Sequence, residues 1–289
     1  MQPLKVMPFN NTIADCLRAA RQRLQPESDS ASLDAQALLA ETLGVERAYL
    51  LAHGDAPLTD EQAARFAGLV ARRAAGEPVA YILGRRAFYD RVFIVTPDVL
   101  IPRPETELLL ERALAFVRSR PRVTAVDIGT GSGALAVTLA ALCPTADVHA
   151  ADISPAALAV ARRNAALHAA PVTFHQGDLL GPLLAQDLRV DLLMANLPYI
   201  ASDDLPALAV SRYEPRLALD GGPDGLGLIR RLLAQAPAAL NPGALVLLEI
   251  GADQGAAALA LARAALRPAD AGVLPDYAGL DRIVWAALA

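Results

Sequence analysis

The sequence predicts an α/β protein in which a parallel β-sheet is covered by helices on both faces and preceded by a small helical domain. Three observations support this fold class. Residues 190–195 are almost all apolar, which is typical of a strand buried on both faces of a parallel sheet. Residues 123–140 combine a short apolar strand, a glycine-rich loop and an apolar helix. Residues 10–84 instead repeat apolar side chains at helical spacing.

The composition limits the class of protein. The chain has 289 residues, enough for one α/β domain of roughly 180 to 200 residues and a smaller one. Its net charge is -5, so it lacks the overall basic excess of a non-specific nucleic-acid binder, although a local basic face is compatible with this value. The first residues lack an apolar signal region, and no apolar run reaches about 18 residues. We therefore expect a cytoplasmic, soluble protein with no membrane partner.

The cysteines and histidines give no sign of a metal or a disulfide. Cys16 and Cys143 are far apart and fit a reducing compartment, where they are expected to be buried thiols. The four histidines show no ligand spacing either. No metal site is predicted.

Residues 1–84 are predicted to form a separate helical domain. Ser32 or Asp34 can open its second helix and Gly44 can end it, while Thr59 and Gln62 have the spacing of a capping box for the last long helix. A separate module of this size is more than the sheet needs for cover, so we favour a substrate-docking role. The alternative is a lid that only stabilises the larger domain.

Residues 85–102 change to β character and are predicted to link the helical domain to a third segment, residues 103–289. Apolar residues flank Thr96-Pro97-Asp98, which predicts a β-hairpin with its turn there.

A proline-rich segment follows the hairpin at residues 102–107. Proline disfavours helix for the preceding residue, so Arg103 is expected to be extended, and Pro104 can take the first position of a helix. Glu105 and Glu107 then lie near the positive end of the helix dipole. These charges can be simple capping charges. The alternative is that Arg103 and Glu105 edge an active site and contact the substrate.

The cofactor signal follows at residues 123–140. A strand ends at Asp127 and leads into a loop of Gly129, Thr130, Gly131, Ser132 and Gly133. The glycines let a ligand approach the backbone, but this loop alone also satisfies a dinucleotide pattern loosely. Asp127 favours another ligand, since a carboxylate suits the ammonium group of S-adenosylmethionine better than a pyrophosphate.

Two further strand ends carry carboxylates. Asp152 follows the second strand about 20 residues past the loop, where ribose hydroxyls are bound. Asp178 can accept a hydrogen bond from an adenine amino group, with Leu179 packed on the ring. The alternatives are a helix N-cap for Asp152 and a plain turn at Asp178.

The catalytic signal is the tetrapeptide Asn196-Leu197-Pro198-Tyr199, at the carboxyl end of the apolar run 190–195. Ligands of open α/β sheets bind at this edge. The side-chain oxygen of Asn196 and the carbonyl of Leu197 provide two acceptors that can hold one NH2 group, with a backbone fixed by Pro198. Tyr199 is expected to pack against the planar group that carries this NH2.

The residues carry a family resemblance over nearly the whole chain. The matching stretches are GEPVAYILG at 76–84, VLIPRPETELL at 99–109, DIGTGSG at 127–133 and NLPY at 196–199. They resemble the bacterial release factor glutamine methyltransferases. IPRPETE is the specific match, since other amino methyltransferases share the glycine loop and a similar tetrapeptide.

The resemblance implies a helical N-terminal domain, a β-hairpin linker and a Rossmann-like class I methyltransferase domain with a seven-stranded sheet. It implies methyl transfer from S-adenosyl-L-methionine to N5 of the glutamine in the GGQ motif of peptide chain release factors. Asn196, Leu197, Pro198 and Tyr199 are then the catalytic and substrate-binding residues, and Asn196 also borders the cofactor. A monomer with no direct nucleic-acid partner is expected.

Leu197 departs from the family pattern, in which a proline occupies this position. Leucine supplies the same carbonyl, and Pro198 still favours an extended Leu197, so activity is expected to be preserved.

Three alternatives remain open. They are methylation of another protein glutamine, methylation of an exocyclic amine of a flipped nucleic-acid base, and a module that binds without catalysis. The acidic net charge, the aromatic content of 4% and the IPRPETE stretch argue against a nucleic-acid substrate.

Overall fold

The computed structural model describes residues 12–289, which fall into two compact units. One ends at Gly84, and the other is Arg85–Ala289. Residues 85–102, expected to link two domains, fall in the larger unit.

The smaller unit is helical, as the periodicity predicts. Its helices are α1 (Ile13–Leu24), α2 (Ala31–Leu43), α3 (Arg47–Ala52), α4 (Asp60–Ala74) and α5 (Val79–Leu83). Gly44 ends α2 in a left-handed conformation, and the capping box of Thr59 and Gln62 is present, so both predictions are confirmed. The prediction for the start of α2 was wrong, because α2 begins one residue before Ser32. Asp34 instead accepts hydrogen bonds from Ser28 and Ser30.

The larger unit begins with a hairpin whose turn differs from the prediction. Strands β1 (Arg85–Phe88) and β2 (Arg91–Ile94) pair antiparallel around a two-residue turn at Tyr89 and Asp90. Tyr89 takes a positive φ of 55°, and its N–H donates to Glu107. The Thr96-Pro97-Asp98 turn also forms but lies beyond β2, because the segment after it does not pair with β2.

Helix α6 (Thr106–Arg118) follows the proline-rich segment. It begins two residues later than predicted, because Pro104 and Glu105 form a turn in which Thr106 N–H bonds the Arg103 carbonyl.

The remaining elements alternate between strands and helices. They are β3 (Thr124–Ile128), α7 (Ala134–Leu142), β4 (Asp147–Asp152), α8 (Pro155–Leu167), β5 (Val172–Gln176), α9 (Gly181–Leu184), β6 (Val190–Ala195), α10 (Gly227–Ala239), β7 (Leu240–Glu249), α11 (Gly255–Leu266), β8 (Asp270–Pro275) and β9 (Asp281–Ala287). Three short 3-10 helices lie between β6 and α10, at Leu205–Ala207, Ala209–Arg212 and Arg216–Ala218.

These strands form the predicted seven-stranded sheet, in the order β5-β4-β3-β6-β7-β9-β8. The first five are parallel, and β9 runs antiparallel to both neighbours. The order along the chain reverses between β3 and β6, so the crevice at the carboxyl ends of these strands is the expected ligand site.

Both faces of the sheet are covered. Ala125 and Leu192 pack in one apolar cluster with α6 and α7, while Val126 and Leu193 pack in another with α10 and α11. This alternation explains why the central strands are nearly continuous apolar runs. Within the described part of the chain, none of the helices has the length and apolar character needed to cross a membrane.

Candidate active site

A cavity of about 380 Å³ lies at the carboxyl ends of β3, β4 and β6. Its volume is in the range of small-molecule sites. It brings together predicted residues from these three strand ends, from the turn after β5 and from the segment before α6: Arg103, Asp127, Gly129, Thr130, Gly131, Ser132, Asp152, Asp178, Leu179, Asn196, Leu197 and Pro198. Gly133, Glu105 and Tyr199 are not in this lining of described residues.

The glycine loop is held close to the end of β4. The N–H groups of Gly129 and Thr130 donate to the Ala151 carbonyl at 2.9 and 3.1 Å. Gly131 has φ 54°, a backbone conformation that residues with a side chain rarely adopt. A Cβ at Gly131 would have Gly129 O, at 4.0 Å, as its nearest neighbour. Gly133 has φ 83°, and a Cβ there would lie 3.2 Å from Ala161 Cβ. Gly131 therefore keeps the backbone open to a ligand, while Gly133 permits close packing of α7 on α8.

Asp127 is a buried carboxyl beneath this loop, with 1% of its surface exposed. Its Oδ2 accepts a hydrogen bond from Thr130 Oγ1 at 2.7 Å. Burial raises its pKa to about 7, and the nearby charge of Asp152 contributes in the same direction.

Asp152 lies at the end of β4 and is held by backbone donors. Its Oδ2 accepts from Gly131 N–H at 2.9 Å, and its Oδ1 accepts from Ser154 N–H at 2.8 Å. Burial raises the pKa of this carboxyl. Its neighbour Ile153 is 51% exposed and lines the cavity, a contact that sequence reasoning missed. The signal available was an apolar residue directly after a strand-end carboxylate.

Asp178 and Leu179 line the same cavity and follow β5. Asp178 is paired with Arg231, another lining residue that sequence reasoning missed. Leu179 is buried and takes φ 51°. Their contact with an adenine ring stays a prediction.

The residues of this cavity fit S-adenosylmethionine. Asp127 and Asp152 are close enough for the charge of Asp152 to raise the Asp127 pKa, so a positively charged ligand suits the site. The open backbone at Gly131 and the apolar Ile153 and Leu179 suit the uncharged parts of the same ligand.

Asn196 follows β6 and is oriented by two buried groups. Its Nδ2 donates to Thr106 Oγ1 at 3.0 Å, and the Thr106 hydroxyl donates to Glu249 Oε2 at 2.7 Å. Thr106 and Glu249 are 5% and 1% exposed. Because the amide is planar, Oδ1 lies on the branch that points away from Thr106.

The next residues follow the strand end into the cavity wall. Leu197 is buried and contacts the glycine loop, since a Cβ at Gly129 would lie 2.9 Å from Leu197 Cδ2. Tyr199 is partly buried. Burial and the charge of Glu249 raise its pKa to about 12, so its hydroxyl stays protonated at physiological pH. Its packing against a substrate amide stays a prediction.

A glycine-rich loop at residues 219–228 supports this backbone. A Cβ on Gly225 would lie 2.2 Å from the Tyr199 carbonyl oxygen, and one on Gly221 would lie 2.7 Å from that of Pro198. Gln254 Nε2 also donates to the Tyr199 carbonyl at 2.9 Å. The repeated glycines were the available signal for a close backbone approach.

Arg103 is held by a buried carboxylate. Glu214, 5% exposed, accepts from Arg103 Nη2 at 2.5 Å and from Ile101 N–H at 3.1 Å. Glu214 therefore fixes the segment before α6, a role that sequence reasoning missed. Glu105 is the N-cap residue of α6. Substrate contacts of Arg103 and Glu105 stay predictions.

Comparisons with known proteins place the chain in a family. A model described as the PrmC N-terminal domain matches residues 15–84, and one described as a methyltransferase domain matches residues 125–213. The chain is 49% identical to the release factor glutamine methyltransferase of Moorella thermoacetica, over 86% of this chain and 89% of that protein. The chain belongs to the release factor glutamine methyltransferase family.

A second member, from Cereibacter sphaeroides, is 48% identical over 95% of this chain and 98% of its own. The family resemblance of the motifs is thus confirmed. The names of these relatives do not favour the alternative substrate, an exocyclic amine of a nucleic-acid base. The chain is an S-adenosylmethionine-dependent glutamine methyltransferase, as predicted.

Solved structures share the methyltransferase fold. The 16S rRNA N2 G1207 methyltransferase of T. thermophilus, in complex with AdoMet and guanosine, has a TM-score of 0.52 at 19% identity, covering 71% of this chain and 51% of that chain. A methyltransferase from Pyrococcus furiosus has a TM-score of 0.50 at 18% identity, covering 75% and 95%. Among residues 12–289, no cluster of three or more His, Cys, Asp or Glu could hold a metal ion.

Proposed function

We propose that this enzyme transfers a methyl group from S-adenosyl-L-methionine to N5 of the glutamine in the GGQ motif of peptide chain release factors. One observation carries the proposal: Asn196, at the end of β6, lines the same cavity as the glycine loop. A primary-amide side chain and a methyl-donor site therefore share one cavity. The names of the relatives support release factors as the substrate class.

The chemistry of an amide explains why the chain needs two acceptors here. The nitrogen lone pair of a carboxamide is shared with its carbonyl, so the nitrogen is a poor nucleophile and must be held in line. Asn196 Oδ1 and the Leu197 carbonyl accept its two hydrogens, orient the nitrogen and favour the positive charge that grows on it. When bound, S-adenosyl-L-methionine supplies the electrophilic methyl group. The protonated product amide is strongly acidic and loses its proton to water, so no strong base is required.

The same proposal covers the finer features of the protein. The smaller unit docks the release factor, and Arg103 and Glu105 border the bound glutamine. Leu197 maintains activity through its backbone carbonyl. The enzyme acts as a monomer in the cytoplasm during translation termination, without direct contact to nucleic acid. Light scattering of the purified protein tests the monomer.

An Asn196→Ala variant tests the assigned role. Loss of the side-chain acceptor is expected to slow methyl transfer at least tenfold, about 1.4 kcal/mol, while cofactor binding falls less. Mass spectrometry of the GGQ peptide after incubation with release factor and cofactor measures the transfer.

Asn241→Ala is the matched control. Asn241 lies near the start of β7, outside the lining of the cavity, and its Nδ2 donates to Asp191. It should retain normal transfer. Near-normal turnover by Asn196→Ala would refute the role of Asn196. Methylation of DNA or rRNA in place of the release factor would refute the substrate class.

A further inference from the structure

Glu249 is a buried carboxylate that the proposed transfer step does not use. It ends β7, the parallel neighbour of β6, and the register pairs Ala195 with Leu248. Asn196 and Glu249 are the next residues on these two strands, and they therefore lie side by side at the edge of the sheet that carries the cavity. Thr106, the first residue of α6, lies between their side chains.

The chemistry of the three groups fixes the direction of their hydrogen bonds. An ionised carboxylate only accepts, so the Thr106 hydroxyl must donate its one hydrogen to Glu249. The Thr106 oxygen then remains an acceptor toward Asn196, whose Nδ2 can only donate. The two side-chain branches of Asn196 are nearly equal in shape, so this hydrogen-bond direction decides which branch faces the cavity.

We propose that Glu249 and Thr106 are positioning residues that hold the Asn196 amide with Nδ2 toward α6 and Oδ1 toward the substrate amide. This inference rests on the proposed function, since an acceptor is needed there to hold an NH2 group. With the amide reversed, Asn196 Nδ2 would meet the hydrogens of the substrate, and the pocket would repel the group that it must bind.

Protonation of Glu249 removes this constraint. A neutral carboxyl can donate to Thr106, whose hydroxyl can then donate to Asn196 Oδ1 and reverse the amide. Burial raises the Glu249 pKa to about 7. The groups that face it are Thr106 and Glu105 at the start of α6, Asn196 and Tyr199 after β6, and Arg282 on β9. The hydrogen bond from Thr106, the charge of Arg282 and the side chain of Asn196 lower its pKa, while the charge of Glu105 raises it. Because the resulting pKa is about 7, the relay, meaning the hydrogen bonds from Asn196 to Thr106 and from Thr106 to ionised Glu249, is expected to form as the pH rises through about 7.

Two variants of Thr106 form the matched test in the full-length enzyme. Thr106→Val keeps the shape but removes the hydroxyl, while Thr106→Ser restores it. At saturating cofactor, Thr106→Val is expected to lower kcat for release factor methylation roughly tenfold, with cofactor Kd within about twofold of wild type. Thr106→Ser should remain within about threefold of wild type. If Thr106 had only a structural role, both variants would be less stable than wild type, and kcat would not fall selectively in Thr106→Val.

The pH profile provides the second readout. Wild-type kcat should rise between pH 6 and 8. Glu249→Gln should be slower and flat over this range, because its amide cannot titrate. The pKa of Asp127 is also about 7. Measuring at saturating cofactor prevents its titration from contributing to the pH dependence of kcat. Equal kcat for wild type and Thr106→Val, or an unchanged rise in Glu249→Gln, would overturn the relay.

An NMR titration without release factor separates failure of the relay from failure of the proposed function. The side-chain amide signal of Asn196 should shift with the midpoint of Glu249 in the wild type and stay constant in Glu249→Gln. A wild-type Asn196 signal that ignores the Glu249 titration overturns the relay. A coupled titration in an enzyme that methylates no release factor overturns the proposed function and leaves the relay in place.

Discussion

At the scale of single residues, the site is built from carboxylates whose protonation is shifted by burial. Asp127 and Glu249 both have pKa values raised to about 7, mainly because burial disfavours their charged forms. Such a value lets small changes in the surroundings change the charge. A bound cation near Asp127 favours the ionised form of that carboxyl, and the hydrogen bond from the Thr106 hydroxyl favours the ionised form of Glu249. Both contacts can therefore change the charge of a group whose pKa lies near physiological pH.

The raised pKa of Asp127 predicts a pH dependence of stability. The folded chain holds this proton up to about pH 7, whereas the ordinary pKa of an aspartate in an unfolded chain is 3.8, so the native state binds more protons between these two pH values. The free energy of unfolding contributed by this group is therefore present at low pH and is lost as the pH rises through the window. Over this whole range the contribution is on the order of 4 kcal/mol, since each pKa unit corresponds to about 1.4 kcal/mol.

Asp127→Asn should remove this slope. Urea unfolding of wild type and variant between pH 5 and 8, without cofactor, measures the difference. The wild type is expected to lose stability relative to Asp127→Asn as the pH rises. Parallel curves for the two proteins would contradict the burial-shifted carboxyl.

At the scale of elements, the site depends on loops that press against the tetrapeptide backbone. Gly225, at φ 70°, lies so close to the Tyr199 carbonyl that a Cβ would stand 2.2 Å from its oxygen. Gly225→Ala is thus expected to displace residues 198–199 and to lower kcat at least roughly tenfold. Cofactor affinity should change little, because Gly225 and Tyr199 lie outside the cavity lining of described residues.

Gly243→Ala is the control for this variant. Gly243 has a similar φ of 72° within β7, but a Cβ there meets nothing within 4 Å. Both variants place a side chain at a left-handed φ, which costs about 1 to 2 kcal/mol in each, and they differ in the clash. Equal kcat values for Gly225→Ala and Gly243→Ala would rule out a positioning role for the loop.

Sequence reasoning could place the elements and the ends of the strands, since a parallel sheet gathers the carboxyl ends of its strands on one edge. Asp127, Asp152 and Asn196 meet for this reason. The relay from Asn196 could not be predicted, because Thr106 and Glu249 are 143 positions apart and neither stands in a motif that implies their contact. The hairpin turn was misplaced because Pro97 is a stronger turn signal than Tyr89-Asp90, whose turn depends on a bond from Tyr89 N–H to Glu107.

At the scale of the whole molecule, the chain divides into a helical unit and a catalytic unit with separate apolar cores. The core of the helical unit includes Ile13, Leu38 and Phe66, all buried. All the residues that line the cavity lie between positions 88 and 231, within the larger unit. The residues proposed to bind the cofactor and to position the glutamine therefore lie in the larger unit, and docking of the protein substrate is the role proposed for the smaller one.

This division predicts the effect of removing residues 1–84. The fragment 85–289 should bind S-adenosylmethionine within about threefold of the full-length affinity, because the cavity lining is retained. Its kcat/KM for intact release factor should fall at least roughly tenfold through KM, because docking contacts are lost. Methylation of a short GGQ peptide should fall far less, since such a peptide has little surface to dock. If the smaller unit is instead a stabilising lid, calorimetry would show a lower Tm for the fragment, with intact release factor and peptide losing activity to the same extent.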